Sequence, residues 1–164
     1  MEVQTDLGND TDWNTADLPS LIQHILLNFH KPLHEGLPRL QSMLAKVTEE
    51  HLEKDARLSE LQSTFGAMKA ELESHMMKEE QILFPMILSA QGAFAGGPIS
   101  VMEQEHESAN AALKKIRELT DGFQTPEGAC ATWCELLQGL EHLERETHTH
   151  IHLENDILFP RALG

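Results

Sequence analysis

Apolar residues recur along this chain three and four positions apart in four long stretches, divided by polar or Gly-rich segments, and that spacing predicts four amphipathic helices. The first begins near Asp17, an N-cap residue with Pro19 in the first turn, and carries Ile22, Leu26, Leu33, Leu37, Leu40, Leu44 and Val47 on one face together with His30. Pro32 and Pro38 each remove a helical hydrogen bond, so this helix is expected to bend or split. Residues 48–57 are polar and form the first turn. The second stripe is Leu58, Leu61, Phe65, Met68, Leu72, Met76, Leu83 and Met86, with His75 and Glu79 inside it. Residues 89–97 make a Gly- and Ala-rich connection, and Gly97-Pro98 predicts a cap with proline at the first helical position. The third stripe, Ile99, Met102, Ala109, Leu113 and Ile116, leaves position 106 facing inward, and that position is His106. Asp121-Gly122 ends the third helix and Thr125-Pro126-Glu127 predicts the start of the fourth, whose stripe is Trp133, Leu137, Leu140, Leu143, Thr147, His150, Glu154 and Ile157.

No strand-like alternation of useful length occurs, so the expected fold is all-α, an up-down-up-down antiparallel four-helix bundle over residues 17–164. Residues 1–16 are short, polar and acidic and are expected to form a flexible tail. At 164 residues the chain has room for one domain. Its 12 Lys+Arg against 27 Asp+Glu give a net charge of −15, which argues against nucleic acid or an anionic membrane as partner and suits the attraction of cations. The first residues lack the basic and apolar regions of a signal peptide, and no apolar run approaches the ~20 residues of a membrane span. Two cysteines, Cys130 and Cys134, make no disulfide framework, so a cytoplasmic location is expected.

Chemistry enters through a repeat. His75-Met76-Met77-Lys78-Glu79-Glu80-Gln81-Ile82-Leu83-Phe84-Pro85 and His150-Ile151-His152-Leu153-Glu154-Asn155-Asp156-Ile157-Leu158-Phe159-Pro160 share the pattern His-x3-Glu-x3-Ile-Leu-Phe-Pro. Residues four apart lie one turn apart on the same helix face, so each copy aims an imidazole and a carboxylate at one point. Each half of the chain is then a helix with one inward His followed by a helix with His-x3-Glu. In an up-down-up-down bundle the starts of helices one and three share an end with the finishes of helices two and four, so His30, His75, Glu79, His106, His150 and Glu154 converge. Two inward carboxylates with no Lys or Arg on their stripes would each cost several kcal/mol if buried unpaired, and cations remove that cost. Six donors suit two metals bridged by the Glu pair with two terminal His each. Mixed imidazole and carboxylate ligation favours iron, with manganese also open, whereas a single zinc would leave donors unused.

The two repeats, with Gly97-Pro98-Ile99-Ser100-Val101-Met102-Glu103-Gln104-Glu105-His106 and the closing Arg161-Ala162-Leu163, resemble the hemerythrin-like HHE cation-binding bundles, and within them the repair-of-iron-centres di-iron proteins. The resemblance runs from about Asp12 to the C-terminus. It implies a non-haem di-iron centre with His30, His75, His106 and His150 as terminal ligands, Glu79 and Glu154 as bridges, and an oxo bridge when oxidised. It also implies support for the repair of iron-sulfur clusters damaged by nitric oxide or oxidants, by iron donation or by handling nitric oxide, with damaged iron-sulfur proteins as partners. The alternative is a protein that binds or senses oxygen or nitric oxide without turnover. Members of that family commonly carry a small N-terminal domain with a cysteine pair, where here a short acidic segment precedes the first helix. Oxygen-carrying hemerythrins have a further His one turn from the third-helix ligand, where this chain has Asn110 and Met102.

Other residues invite a role. His34, one turn from His30, is a candidate partner of that residue or a substitute ligand. Glu105 and Glu71 could assist iron access or proton movement, or simply be solvated. His51 lies some 30 Å from His30 along the helix and reads as a turn residue. His24, His142, His148 and His152 read as surface or edge histidines. Cys130 and Cys134, one turn apart at the start of the fourth helix, are too far from His150 to reach the metals and read as buried or partly buried thiols without a role, with a redox or auxiliary function as the alternative.

Overall fold

A computed structural model describes residues 11–164, and all regular structure among them is helical. Helix α1 starts at an Asp17 cap, whose carboxylate accepts the Ser20 N–H at 3.0 Å. It runs Leu18–Ile25, opens into a π turn over Leu26–His30, and continues as Lys31–His51. Helix α2 comprises Arg57–Lys78, a π turn Glu79–Leu83 and Phe84–Leu88. A 3₁₀ turn, Gly92–Phe94, leads to α3, Gly96–Leu119. Helix α4 comprises Ala131–His152, a π turn Leu153–Leu158 and Phe159–Leu163.

The three π turns have one cause. Each ends two residues before a proline: Pro32, Pro85 and Pro160. Proline has no N–H, and its ring crowds the carbonyl four residues back. In each case the amide just before the proline reaches back five residues instead of four, Lys31 to the Leu26 carbonyl, Phe84 to Glu79 and Phe159 to Glu154. The widened turn relieves the proline without breaking the helix. The expected break at Pro32 is therefore a π turn, and Pro38 is accommodated inside a continuous helix. His30, Glu79 and Glu154 all lie in these wide turns.

Helix ends differ from the sequence expectation in three places. Helix α1 extends to His51, with the Thr48 hydroxyl donating to the Leu44 carbonyl at 2.7 Å. Helix α3 starts after Ala95, so Gly97-Pro98 falls within its first turn. Helix α4 does not begin at Thr125: Gly128 has φ +77°, which no right-handed helix passes through, and the cap is Cys130, whose sulfur accepts the Trp133 N–H at 3.4 Å.

Helix α1 packs on α2 and α4, and α3 on α2 and α4, which closes the bundle. The inward stripes are buried as expected, except that Leu26 and Met86 are half-buried. They form two apolar clusters. The larger runs from Leu33 and Leu72 to Phe65, Trp133 and Leu143; the smaller gathers Leu21, Ile25, Phe29, Phe84, Met102, Leu158 and Phe159. The six inward polar groups lie on stretches between these clusters, so apolar packing seals them from both sides. The expected tail lies outside the described residues as far as residue 10. Beyond it, Trp13 stacks on His24 at 4.5 Å and its carbonyl accepts Arg161 Nη1 at 2.7 Å, which ties the start of the bundle to its end. Among the described residues no helix is long and apolar enough to cross a membrane.

Candidate metal centre

The six predicted groups come together. His30, His75, Glu79, His106, His150 and Glu154 are each at most 4 % exposed, and both carboxylates are fully buried. Their donor atoms form two quartets, His30, Glu79, His150, Glu154 and His75, Glu79, His106, Glu154, in each of which all four atoms lie within 4.8 Å of one another. Both carboxylates belong to both quartets. Glu79 Oε1 lies 3.0 Å from His75 Nε2 and 3.3 Å from His30 Nε2; Glu154 Oε1 lies 2.5 Å from His150 Nε2 and 3.8 Å from His106 Nε2.

Most of these atoms have no hydrogen-bond partner. Both nitrogens of His30, both oxygens of Glu79 and of Glu154, and His150 Nε2 are buried and orphaned, and His75 and His106 turn Nε2 toward Nε2 at 3.1 Å. A buried carboxylate without donors is costly enough that proteins almost always satisfy it. Nitrogen and carboxylate donors crowded at common points with few hydrogen bonds among them are what a cation requires, so these residues fit a metal pair.

Protonation follows the same geometry. Burial pushes Glu79 toward the neutral form, but the imidazoles of His30 and His75 and the charge of nearby histidines outweigh it and hold the carboxyl well below its usual range. Burial lowers His150 to about 3. Burial, aided by the neighbouring charge of His75, also lowers His106. For His75 burial is overcome by Glu79 and Glu105, and its pKa is raised. His106 and His150 thus keep free lone pairs at neutral pH.

The outer ring nitrogens show a symmetry that sequence reasoning overlooked. His106 Nδ1 meets Asn155 Oδ1 at 2.7 Å, and His30 Nδ1 faces Glu80 Oε2 at 3.3 Å. Glu80 and Asn155 are the residues directly after the two inward glutamates, so each repeat supplies a carboxylate and then a polar oxygen beside an imidazole on another helix, as a hydrogen bond at His106 and as a 3.3 Å charge contact without hydrogen-bond geometry at His30. At His106 an Nδ1–H held this way leaves Nε2 free for a metal. The phenylalanines of the repeats act alike, Phe84 stacking on His30 at 5.6 Å and Phe159 on His106 at 6.0 Å. The signal available was that the same offset in both copies carries a hydrogen-bond acceptor and an aromatic ring.

His34 is half-exposed and contacts Glu80 Oε2 at 3.1 Å, so it reaches His30 through that carboxylate and does not enter the quartets. His75 Nδ1 meets Glu105 Oε1 at 3.0 Å, and the other oxygen of Glu105 pairs with Lys78. A surface pocket of about 540 Å³, lined by Glu71, Ser74, His75, Gln104, Glu105 and Ser108, opens beside this contact.

The hemerythrin HHE cation-binding domain model matches residues 21–162. The chain belongs to that family. Three curated relatives, from Pectobacterium atrosepticum (46 % identical over 152 residues, 93 % of this chain and 69 % of the relative), Edwardsiella ictaluri (44 % over 153 residues, 93 % and 69 %) and Yersinia pseudotuberculosis (43 % over 161 residues, 98 % and 73 %), are each named iron-sulfur cluster repair protein YtfE. The chain is similar to these over nearly its whole length. As in other hemerythrin HHE bundles the buried His and Glu groups can hold metal. One turn from His106, Met102 is buried in the smaller apolar cluster and Asn110 is exposed, so neither position supplies a further imidazole.

The remaining expectations sort by position. His142, His148 and His152 are exposed, and His24 is half-buried against Trp13. His51 lies at the other end of α1, stacked on Trp133 at 5.2 Å and in contact with Cys130. Cys130 and Cys134 are free thiols, partly buried, and neither is part of the two quartets.

Proposed function

We propose that this chain is a non-haem di-iron protein that supports repair of iron-sulfur clusters damaged by nitric oxide or oxidants. In this reading His30 and His150 would hold one iron, His75 and His106 the other, and Glu79 and Glu154, which belong to both quartets, would serve both. Bound there, the iron pair supplies an exchangeable ferrous source and a position for a diatomic ligand such as nitric oxide. The residues around it set its properties. Glu80 and Asn155 orient His30 and His106, Glu105 orients His75, and Phe84 and Phe159 support two of the rings. Two carboxylates balance only half the charge of two ferrous ions, and an under-compensated cation is held less tightly, which suits release more than storage. Glu71 and Glu105 beside the surface pocket offer an acidic route between solvent and His75.

The observation that carries the reading is the pair of quartets sharing two orphaned carboxylates, in a chain 43–46 % identical to proteins named for iron-sulfur cluster repair. The test is transfer. The iron-loaded chain is mixed with an iron-sulfur dehydratase whose cluster has been damaged by nitric oxide, and recovery of dehydratase activity is followed. Recovery should exceed that given by the same amount of free ferrous salt in the presence of a chelator. No recovery beyond the free salt overturns iron donation. A cytoplasmic location, where such clusters are assembled, accords with this role.

A further inference from the structure

A second group of metal-type donors lies at the other end of α1, and nothing in the family reading uses it. The last residues of that helix, Glu50 and His51, face the first residue of the α4 cap, Cys130. His51 Nε2 is 3.3 Å from Cys130 Sγ and 3.8 Å from Glu50 Oε2, and one donor atom from each residue lies within 4.8 Å of the others. We propose that Cys130, His51 and Glu50 form a second metal site, separate from the di-iron centre, that takes a single thiophilic divalent cation of the zinc type.

Three observations converge on it. The first is distance. Around a tetrahedral cation with a metal–sulfur bond of about 2.3 Å and metal–nitrogen or metal–oxygen bonds of about 2.0–2.2 Å, neighbouring donors lie roughly 3.3–3.6 Å apart. For a sulfur–nitrogen pair the value is about 3.5–3.6 Å and for a nitrogen–oxygen pair about 3.3–3.4 Å, so the observed 3.3 Å and 3.8 Å each need a shift of a few tenths of an ångström, which a half-exposed Glu50 is free to supply on its side.

The second is orientation. The His51 ring stacks on Trp133, with centroids 5.2 Å apart and planes 20° from parallel, and Trp133 is 3 % exposed. A buried indole fixes the imidazole plane, so Nε2 is presented to the thiol by the packing and not by chance rotation. Trp133 is also the residue whose N–H donates to Cys130 Sγ at 3.4 Å, so one residue positions both donors.

The third is donor chemistry. A single ring nitrogen faces both a sulfur and a carboxylate, and a neutral imidazole carries one proton at most on that atom. A cation at the shared point satisfies all three at once. Binding replaces the thiol proton, which passes to solvent, and the thiolate so formed sits at the N-terminus of a 22-residue helix whose dipole favours the negative charge. A thiolate in the set selects zinc-type or ferrous ions over magnesium and calcium, and the set differs from the sulfur-free quartets at the bundle's metal centre.

That difference makes the test specific. Cobalt(II) is titrated into the iron-loaded chain, with bound iron measured alongside. Only a cysteine donor gives a near-ultraviolet sulfur-to-cobalt charge-transfer band, so cobalt entering the di-iron centre is silent in that region. The band should appear and saturate at one cobalt per chain, be lost in Cys130→Ser and in His51→Ala, and persist in Cys134→Ser. Serine is a good helix cap, so Cys130→Ser should keep the fold and its iron, which circular dichroism and the iron content verify. A titration without the band, or a band that survives in Cys130→Ser, overturns the proposal.

Discussion

Glu79 is the residue whose replacement distinguishes a bridged metal pair from two neighbouring sites. Glu79→Gln keeps the volume and removes the charge, so the apolar packing above and below stays in place. In the structure the carboxylate belongs to both quartets, whereas His30 belongs to one and His106 to the other. A four-donor protein metal site binds with an apparent free energy of roughly 10–16 kcal/mol. One donor is then worth about 3–4 kcal/mol, or on the order of 10²–10³ in affinity, and Glu79→Gln imposes that on both ions. His30→Ala and His106→Ala each impose it on one. After passage through a chelator column, iron per chain measured by mass spectrometry should fall from two to near zero in Glu79→Gln, and to about one in each histidine variant. The amide is neutral and of the same volume, so no buried charge is added and helix content should hold. Retention of both irons in Glu79→Gln would refute the shared-carboxylate reasoning, as would complete loss of both from either single histidine variant.

Glu80→Ala removes the carboxylate facing His30 Nδ1 and should weaken the ion held by His30 about 10–100-fold with little change in fold; unchanged iron retention under a graded chelator challenge would rule out an orienting role. Gly92→Ala should destabilise the fold by roughly 1–3 kcal/mol, because a Cβ there would stand 2.5 Å from the Ala162 carbonyl oxygen, which is backbone and cannot turn aside. Gly139→Ala should cost less than about 1 kcal/mol, since its Cβ meets only the tip of Leu40 and alanine is the better helix former; urea unfolding that ranks the two in the opposite order contradicts the steric argument. The metal-free fold should be most stable near pH 6.5 and weaken as pH falls. With His150 lowered to about 3 and His106 also lowered, the unfolded chain takes up protons that the folded chain refuses, while the raised His75 already contributes in full below its ordinary pKa. Each such proton steepens the loss by up to about 1.4 kcal/mol per pH unit, so a melting temperature flat between pH 6.5 and 5 would contradict these assignments.

Most of the fold and the inward placement of all six polar groups were legible in the sequence, because helix periodicity is local: a residue three or four positions from buried leucines must share their face. His106 was readable as inward from its neighbours alone, and the His-x3-Glu repeat announced itself twice. The register between helices was also within reach, since alternating direction fixes which ends meet. What no local rule supplied was the pairing. That His30 joins His150, and His75 joins His106, around two shared carboxylates depends on which helix faces which across the bundle. The helix ends were misplaced where a single backbone angle decided them, as at Gly128, whose left-handed conformation defers α4 to Cys130.

Two further features belong to the tertiary structure. Pro32 signalled distortion in the sequence, and the packed bundle turns it, like Pro85 and Pro160, into a π turn, because the buried stripes on both sides outweigh the strain and keep the helix continuous. Glu80 and Asn155 fall outside the apolar stripes of the periodic pattern, and the same wide turns bring them within reach of His30 and His106. Likewise His51 and Cys130 are 79 positions apart and meet because α1 and α4 pack side by side. The sequence by itself determined the four helices, the inward stripes and the six inward polar groups, all of which depend on spacing along one chain segment. Donor partners, ring orientations and the His51–Cys130 encounter depend on distances between segments, and only the tertiary structure decided those.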